Sequence, residues 1–149
     1  MRYSPILTFP DAAQEAAVWV RALAELLGCE QRVAFEVLRT TLHLVRDRLS
    51  VDDNAKVGNE LPMVLRGLYF EAWNPMKYQG HDDLHDLPAL LRSALPPSVS
   101  ADPDVFSKIV QLFEDRHHHK KPTKLDVALK LCSVPPDPGG MVGDVSKSL

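Results

Sequence analysis

Two groups of side chains in this chain have the types and spacing from which chemistry can be built. The first is His81-Asp82-Asp83-Leu84-His85-Asp86. His81 and His85 are four residues apart, so on a helix their imidazoles share a face with carboxylates beside them. Two such imidazoles can serve one divalent metal. The spacing is not His-Glu-x-x-His, and no third ligand can be named. A metal-dependent enzyme built on His81, Asp82, His85 and Asp86 is therefore the weakest functional reading. Acidic residues also suit a helix N-terminus, where they face the positive end of its dipole. That structural role is the stronger expectation. His117-His118-His119 precedes Lys120-Lys121. Adjacent residues of a helix point in different directions, so this run reads as a solvated loop.

The second group is His43, Arg46, Asp47 and Arg48, with Arg66 further along. His43 and Arg46 are three apart and share a helix face. Asp47 falls at a helix C-terminus, where a carboxylate is disfavoured, so it needs a cationic partner, and Arg66 is the candidate. One role is an ion-pair network fixing two helices together. In that network Arg66 is partly buried, reaches the Trp73 indole, and costs about 3–5 kcal/mol to remove. The other role is an anion site lined by Arg46, Arg48 and Arg66. His43 as a general base has no nucleophile tied to it by motif. A third segment, from Met63 to Trp73, is apolar almost all round when wound as a helix, the pattern of a buried helix. Gly67 within it would admit a close neighbour, at roughly 1 kcal/mol of helix propensity relative to Ala. The structural expectation is a central core helix with Tyr69 and Trp73 reaching polar partners at their tips. The functional alternative is a partner surface or small apolar pocket near Tyr69 and Trp73. Phosphate-loop, Gly-x-Ser-x-Gly and dinucleotide signatures are absent.

The elements that must position these groups are helical. Apolar residues recur at helical spacing, and strand-type alternation is scarce. A first helix is expected from Asp11, a good N-cap with Gln14 in the reciprocal position, to Leu27, with Gly28 as a stop. A second runs from Glu30 to Leu49, with Glu36, Arg39, His43 and Arg46 on its polar side. Ser50 caps a third, from Val51 to about Asn59, anchored by Val57 and Leu61. The fourth starts at Pro62 and runs to about Trp73, ended by Asn74-Pro75. The fifth spans Asp82 to Leu95, and Pro88 moves its true start toward Asp86 or Leu87. A sixth, opened by Asp102-Pro103, buries Phe106, Ile109, Val110 and Phe113. Thr123 caps a seventh carrying Leu125, Leu129 and Cys132.

An offset of 68 residues relates Leu23 and Leu27 to Leu91 and Leu95. It also relates Leu38, Leu42 and Val45 to Phe106, Val110 and Phe113, and Asp47-Arg48 to Asp115-Arg116. Val57 and Leu61 match Leu125 and Leu129. The expected fold is all-α, with about seven helices in two related halves, 11–76 and 82–133, packed over one core. The domain is expected to span 1–133. After Ser133 the composition turns to Pro, Gly, Ser and Asp, so 134–149 reads as a flexible tail.

The chain has 149 residues, which fits one domain. Its formal net charge of −3 gives no electrostatic footprint for nucleic acid or for an anionic membrane. No run approaches the ~18 apolar residues of a membrane span, and the first residues lack a secretory h-region, so the cytoplasm is the expected compartment. The two cysteines, Cys29 and Cys132, fit neither zinc nor redox spacing. Reduced thiols are expected, with a bridge left open. No cofactor is expected.

The segment Leu38–Pro75 carries a resemblance. Its blocks Leu42-His43-Leu44-Val45-Arg46-Asp47-Arg48-Leu49-Ser50 and Leu61-Pro62…Leu65-Arg66-Gly67-Leu68-Tyr69-Phe70…Trp73 resemble the bacterial domain-of-unknown-function family numbered 2267. Its pattern runs L-H-x-L-R-D-R-L-S, then L-P-x-x-L-R-G-x-Y-Y-x-x-W. The resemblance implies an all-α fold in two related halves, and it implies no activity and no catalytic residue. The second half departs from it most, with His117-His118-His119 where an ordinary helix end is expected. The leading functional expectation is a non-enzymatic helical module that binds a protein partner, and an exposed apolar patch would favour it. The alternative is a small-molecule-binding domain, which a closed cavity of roughly 300 Å³ or more would favour.

Overall fold

A computed structural model of the chain describes residues 5–78, 84–116 and 121–134. Among them it forms eight α-helices, a 3₁₀ turn at Pro75–Lys77 and no strand. The helices are α1 (Pro5–Leu27), α2 (Gln31–Arg46), α3 (Val51–Glu60), α4 (Met63–Tyr69), α5 (Leu87–Ala94), α6 (Pro97–Ser100), α7 (Val105–Arg116) and α8 (Lys124–Ser133). None of them is long and apolar enough to cross a membrane.

Where a cap or a proline marks an end, the helix obeys it. Gly28 takes φ +67°, the left-handed conformation glycine adopts without penalty, and closes α1. Ser50 Oγ accepts from the Asp53 backbone N–H at 3.1 Å and starts α3. Asp86 is the N-cap of α5, so Pro88 lies in the first turn. The Asp126 carboxylate accepts from the Thr123 N–H at 2.7 Å and opens α8.

Elsewhere the boundaries move. The first helix begins at Pro5 rather than Asp11, with proline's fixed φ preset for the first helical position. It runs on through Pro10, forfeiting one backbone bond. The second helix stops at Arg46, three residues short of Leu49. The Arg48 and Leu49 N–H groups turn back to Val45 and Arg46 in tighter turns that swing Leu49 into the core. The fourth ends at Tyr69, well before Trp73, and Ala72 adopts φ +55° in the turn that follows. The single-turn α6 between Pro96 and Ala101 has no counterpart among the expected elements.

One apolar cluster draws on every helix from α1 to α8. Helix α1 packs on α2, α4 and α7, α7 on α8, and α2 on α4, α5 and α8. Trp19 of α1 meets the Phe113 ring of α7 edge-on at 5.1 Å, a favourable aromatic geometry. Among pairs at the 68-residue offset, Leu23/Leu91, Leu38/Phe106, Val45/Phe113, Val57/Leu125 and Leu61/Leu129 are buried at both positions. Leu42/Val110 and Leu27/Leu95 differ.

Candidate functional site

The arginine that joins α2 to α4 is Arg46, not Arg66. Arg46 ends α2 with its guanidinium almost fully enclosed. Its Nη1 donates to the Tyr69 carbonyl at 3.0 Å and to the Glu71 carbonyl at 2.7 Å. These lie at the C-terminus of α4, where backbone carbonyls lack helical partners and a cation is favoured. Its Nε donates to Asp47 Oδ1 at 2.9 Å, which supplies the cationic partner Asp47 needs from the adjacent residue. Asn54 of α3 completes the junction. Its amide donates to the Arg46 and Leu49 carbonyls, and its Oδ1 accepts from the Tyr69 hydroxyl at 2.5 Å. Burial pushes the Tyr69 phenol above its ordinary range, against the lowering effect of Arg46's charge.

The remaining arginines do not converge into an anion site. Arg48 makes a two-pronged pair with Asp86, at 2.7 and 3.1 Å. Arg66 is exposed, and its Nη2 donates to the Leu61 carbonyl at 3.1 Å. Trp73 packs against Phe70 with ring centroids 5.0 Å apart, and Phe70 in turn meets Tyr69 edge-on at 5.0 Å. Asp86, a candidate metal ligand, is thus committed to Arg48, while His81 and Asp82 lie outside the described residues. So do His117-His118-His119 and 135–149. No group of three or more His, Cys, Asp or Glu among the described residues could hold a metal ion. Cys29 and Cys132 are free thiols, and burial pushes Cys132 up to about 11, so it stays protonated and unreactive at neutral pH.

Helix α4 is not the enclosed core helix its composition suggests. Leu65 and Tyr69, four apart, face the core, while Met63, Val64, Arg66 and Gly67 are exposed. Gly67 has no close neighbour, since a Cβ built there meets nothing within 4 Å. The close approach occurs at Gly58 instead, where a Cβ would lie 2.6 Å from the Phe70 ring.

The outward side of α4 forms a groove with α1 and α2 of about 360 Å³. Ala16 and Val20 come from α1, Phe35 and Leu38 from α2, and Val64, Leu65, Gly67 and Leu68 from α4. Phe35 and Val64 leave 40% and 42% of their surface open. Tyr69 and Trp73, around which a pocket was expected, do not line it. Glu71 sets the polar end. Arg39 Nε donates to Glu71 Oε1 at 2.9 Å, and His43 Nε2 lies 3.6 Å from the same oxygen. The nearest acceptor to His43 Nε2 is the Leu68 carbonyl at 2.7 Å, so that nitrogen carries the proton. The Arg39 hydrogen bond holds the Glu71 carboxyl below the usual carboxylate range.

The groove and the Arg46 junction both fall within a family match. The family described as "uncharacterized conserved protein (DUF2267)" matches residues 16–126. The chain belongs to the DUF2267 family. The match confirms the resemblance seen in Leu38–Pro75 and extends it from the middle of α1 into α8. No curated protein matches the chain. Within this DUF2267 chain, most of the two sequence blocks serves the α2–α3–α4 junction. Arg46, Leu49, Leu61, Leu65 and Tyr69 are buried there, and Ser50 caps α3. Phe35 and Val64 belong to neither block, yet with Leu68 they make the groove.

Proposed function

We infer that this DUF2267 protein is a non-enzymatic interaction module that takes an apolar side chain, presented on a partner's helix, into the groove between α1, α2 and α4. The observation that carries the reading is the groove itself: about 360 Å³, walled by apolar side chains and open enough to leave Phe35 and Val64 exposed. Helix-in-groove recognition uses such a surface, with anchors one turn apart on the incoming helix. A small-molecule site differs in two ways. It encloses roughly 70–90% of its ligand, and it converges a few polar groups to fix orientation. Here the one charged lining residue, Glu71, is already held by Arg39. The setting we infer is the bacterial cytoplasm, where free Cys29 and Cys132 stay reduced.

Gly67 provides the test. It lines the groove and has open space around it, so a large side chain there fills the groove without disturbing the core. A photoreactive benzoylphenylalanine at position 67 should cross-link in cells to a protein segment with apolar residues three and four apart. A synthetic peptide of that segment should bind the wild type and lose at least ten-fold in affinity for Gly67→Trp. Adducts confined to small molecules, or a peptide that binds both forms equally, would overturn the reading.

A further inference from the structure

The helix that supplies the groove also carries a side chain shaped to enter it. Phe9, Ala13, Ala16 and Val20 are spaced i, i+4, i+7 and i+11 along α1, so they share one face. Ala16 and Val20 line the groove. Ala13 is exposed, and Phe9 leaves 55% of its surface open on the first turns of α1. From Phe9 to Glu15 only Ala12 is even half-covered, so this stretch is an arm of α1 that is open on all but the Thr8–Ala12–Ala16 side. More than half of the Phe9 side chain is left without packing by its own chain.

Resting on the groove reading above, we propose that the groove's occupant is a second copy of this chain. The two α1 arms pair antiparallel about a twofold axis, and each Phe9 seats in the other copy's groove. The register follows from helix geometry. At 1.5 Å per residue, Phe9 lies about 13 Å from the Ala16–Val20 stretch. A twofold axis halfway between them passes next to Ala13 and places each Phe9 opposite the other copy's Ala16 and Val20. Ala13 at the crossing point, flanked by Ala12 and Ala16, lets the two backbones approach closely. The shared face carries no charge, so the twofold brings no like charges together. Knob and hole on one surface are what an isologous contact requires.

The area sets the strength. Each copy leaves roughly 100 Å² of Phe9 and somewhat less of Phe35 open, on the 150–250 Å² scale of an aromatic side chain. Val64, Met63 and Ala13 add to this, and the twofold doubles the sum. Complete burial of these residues on both copies comes to roughly 800 Å², at the small end of the range where weak, transient contacts lie. A contact this small makes a weak dimer whose population depends on concentration.

Sedimentation velocity of the full chain over roughly 5–500 µM tests this. The wild type should pass from monomer to dimer. Phe9→Glu and Gly67→Trp should each raise the midpoint at least ten-fold, as should Ala13→Glu, which sets two carboxylates against each other at the axis. All three positions are exposed, so at concentrations where the wild type is monomeric no variant should lose more than a few degrees of thermal midpoint, and Gly67→Trp should gain some from helix propensity, which separates lost pairing from lost folding. Benzoylphenylalanine at position 9 should cross-link to Val20, Val64 or Leu68 of the second copy. A wild type that is monomeric throughout, or a dimer indifferent to Phe9→Glu and Gly67→Trp, overturns the self-pairing. If the residue-67 probe then still maps to another protein's helix, the groove reading survives. If neither probe finds a protein, both fail.

Discussion

Removing the Arg46 guanidinium should damage this protein more than removing any other charged side chain of the α2–α4 junction. Two of its hydrogen bonds end on the Tyr69 and Glu71 carbonyls. Hydrogen bonds to a charged group contribute roughly 1.5–3 kcal/mol each, and buried carbonyls left without them keep their desolvation cost. The third partner, Asp47, is 53% exposed, so its ion pair adds under about 1 kcal/mol. Arg46→Ala should therefore cost about 3–5 kcal/mol, a large part of the roughly 5–15 kcal/mol that holds a domain folded. Arg46→Lys should recover less than half of that, because an ammonium lacks the fork that reaches two carbonyls and Asp47 together. Arg66→Ala removes one bond from an exposed residue and should cost under about 1 kcal/mol. Urea denaturation at constant m-value reads all three. Arg46→Ala combined with Asp47→Asn should depart from additivity by no more than about 1 kcal/mol, the size of their exposed ion pair. An Arg46→Ala cost below about 1 kcal/mol would refute the argument. So would an Arg66→Ala cost exceeding it, which would restore the network first expected from the sequence.

Two further outcomes follow from local geometry. Gly58→Ala gains up to about 1 kcal/mol of helix propensity, but its Cβ would sit 2.6 Å from Phe70 Cε2, and the ring that must yield is braced between Tyr69 and Trp73. Net destabilisation of about 1–2 kcal/mol with altered tryptophan fluorescence is expected, and a stabilised variant would mean the ring moves freely. Glu71 titrates below its ordinary value because Arg39 donates to its carboxylate. Its contribution is therefore present above the unfolded-state value of 4.5 and is lost as pH falls through the depressed folded-state value. Glu71→Gln should weaken the fold near pH 7 but not near pH 2; an equal deficit at both would show that the side chain acts by packing alone.

The signals that carried from sequence to structure were local and stereochemical. Ser50, Thr123, Gly28 and Pro88 each act within one helical turn, where backbone sterics and a single hydrogen bond decide the outcome. The junction was legible only in part, because placing Arg46 on the polar side of its helix ignored its register. Arg46 follows Leu42 by four residues and precedes Leu49 by three, so it stands in the buried stripe and must find acceptors inside. The expected pairing sets Arg66 near Asp47, although its own neighbours Val64 and Gly67 lie on the open side. The groove was the hardest feature to foresee. Apolar residues all round the Met63–Trp73 segment predict burial, but only Met63–Tyr69 is helical. A seven-residue helix has two turns, and its inward side is filled by Leu65 and Tyr69. What remains, Val64 and the half-buried Leu68, exceeds what the fold can cover and lines the groove. That excess was present in the sequence, as was Phe9 ahead of the helical pattern of α1. Patterns that equate an apolar residue with a core position assign such residues to the interior by default. Counting what one inward stripe can bury leaves them over, and in this chain what is left over is the groove wall and the side chain proposed to fill it.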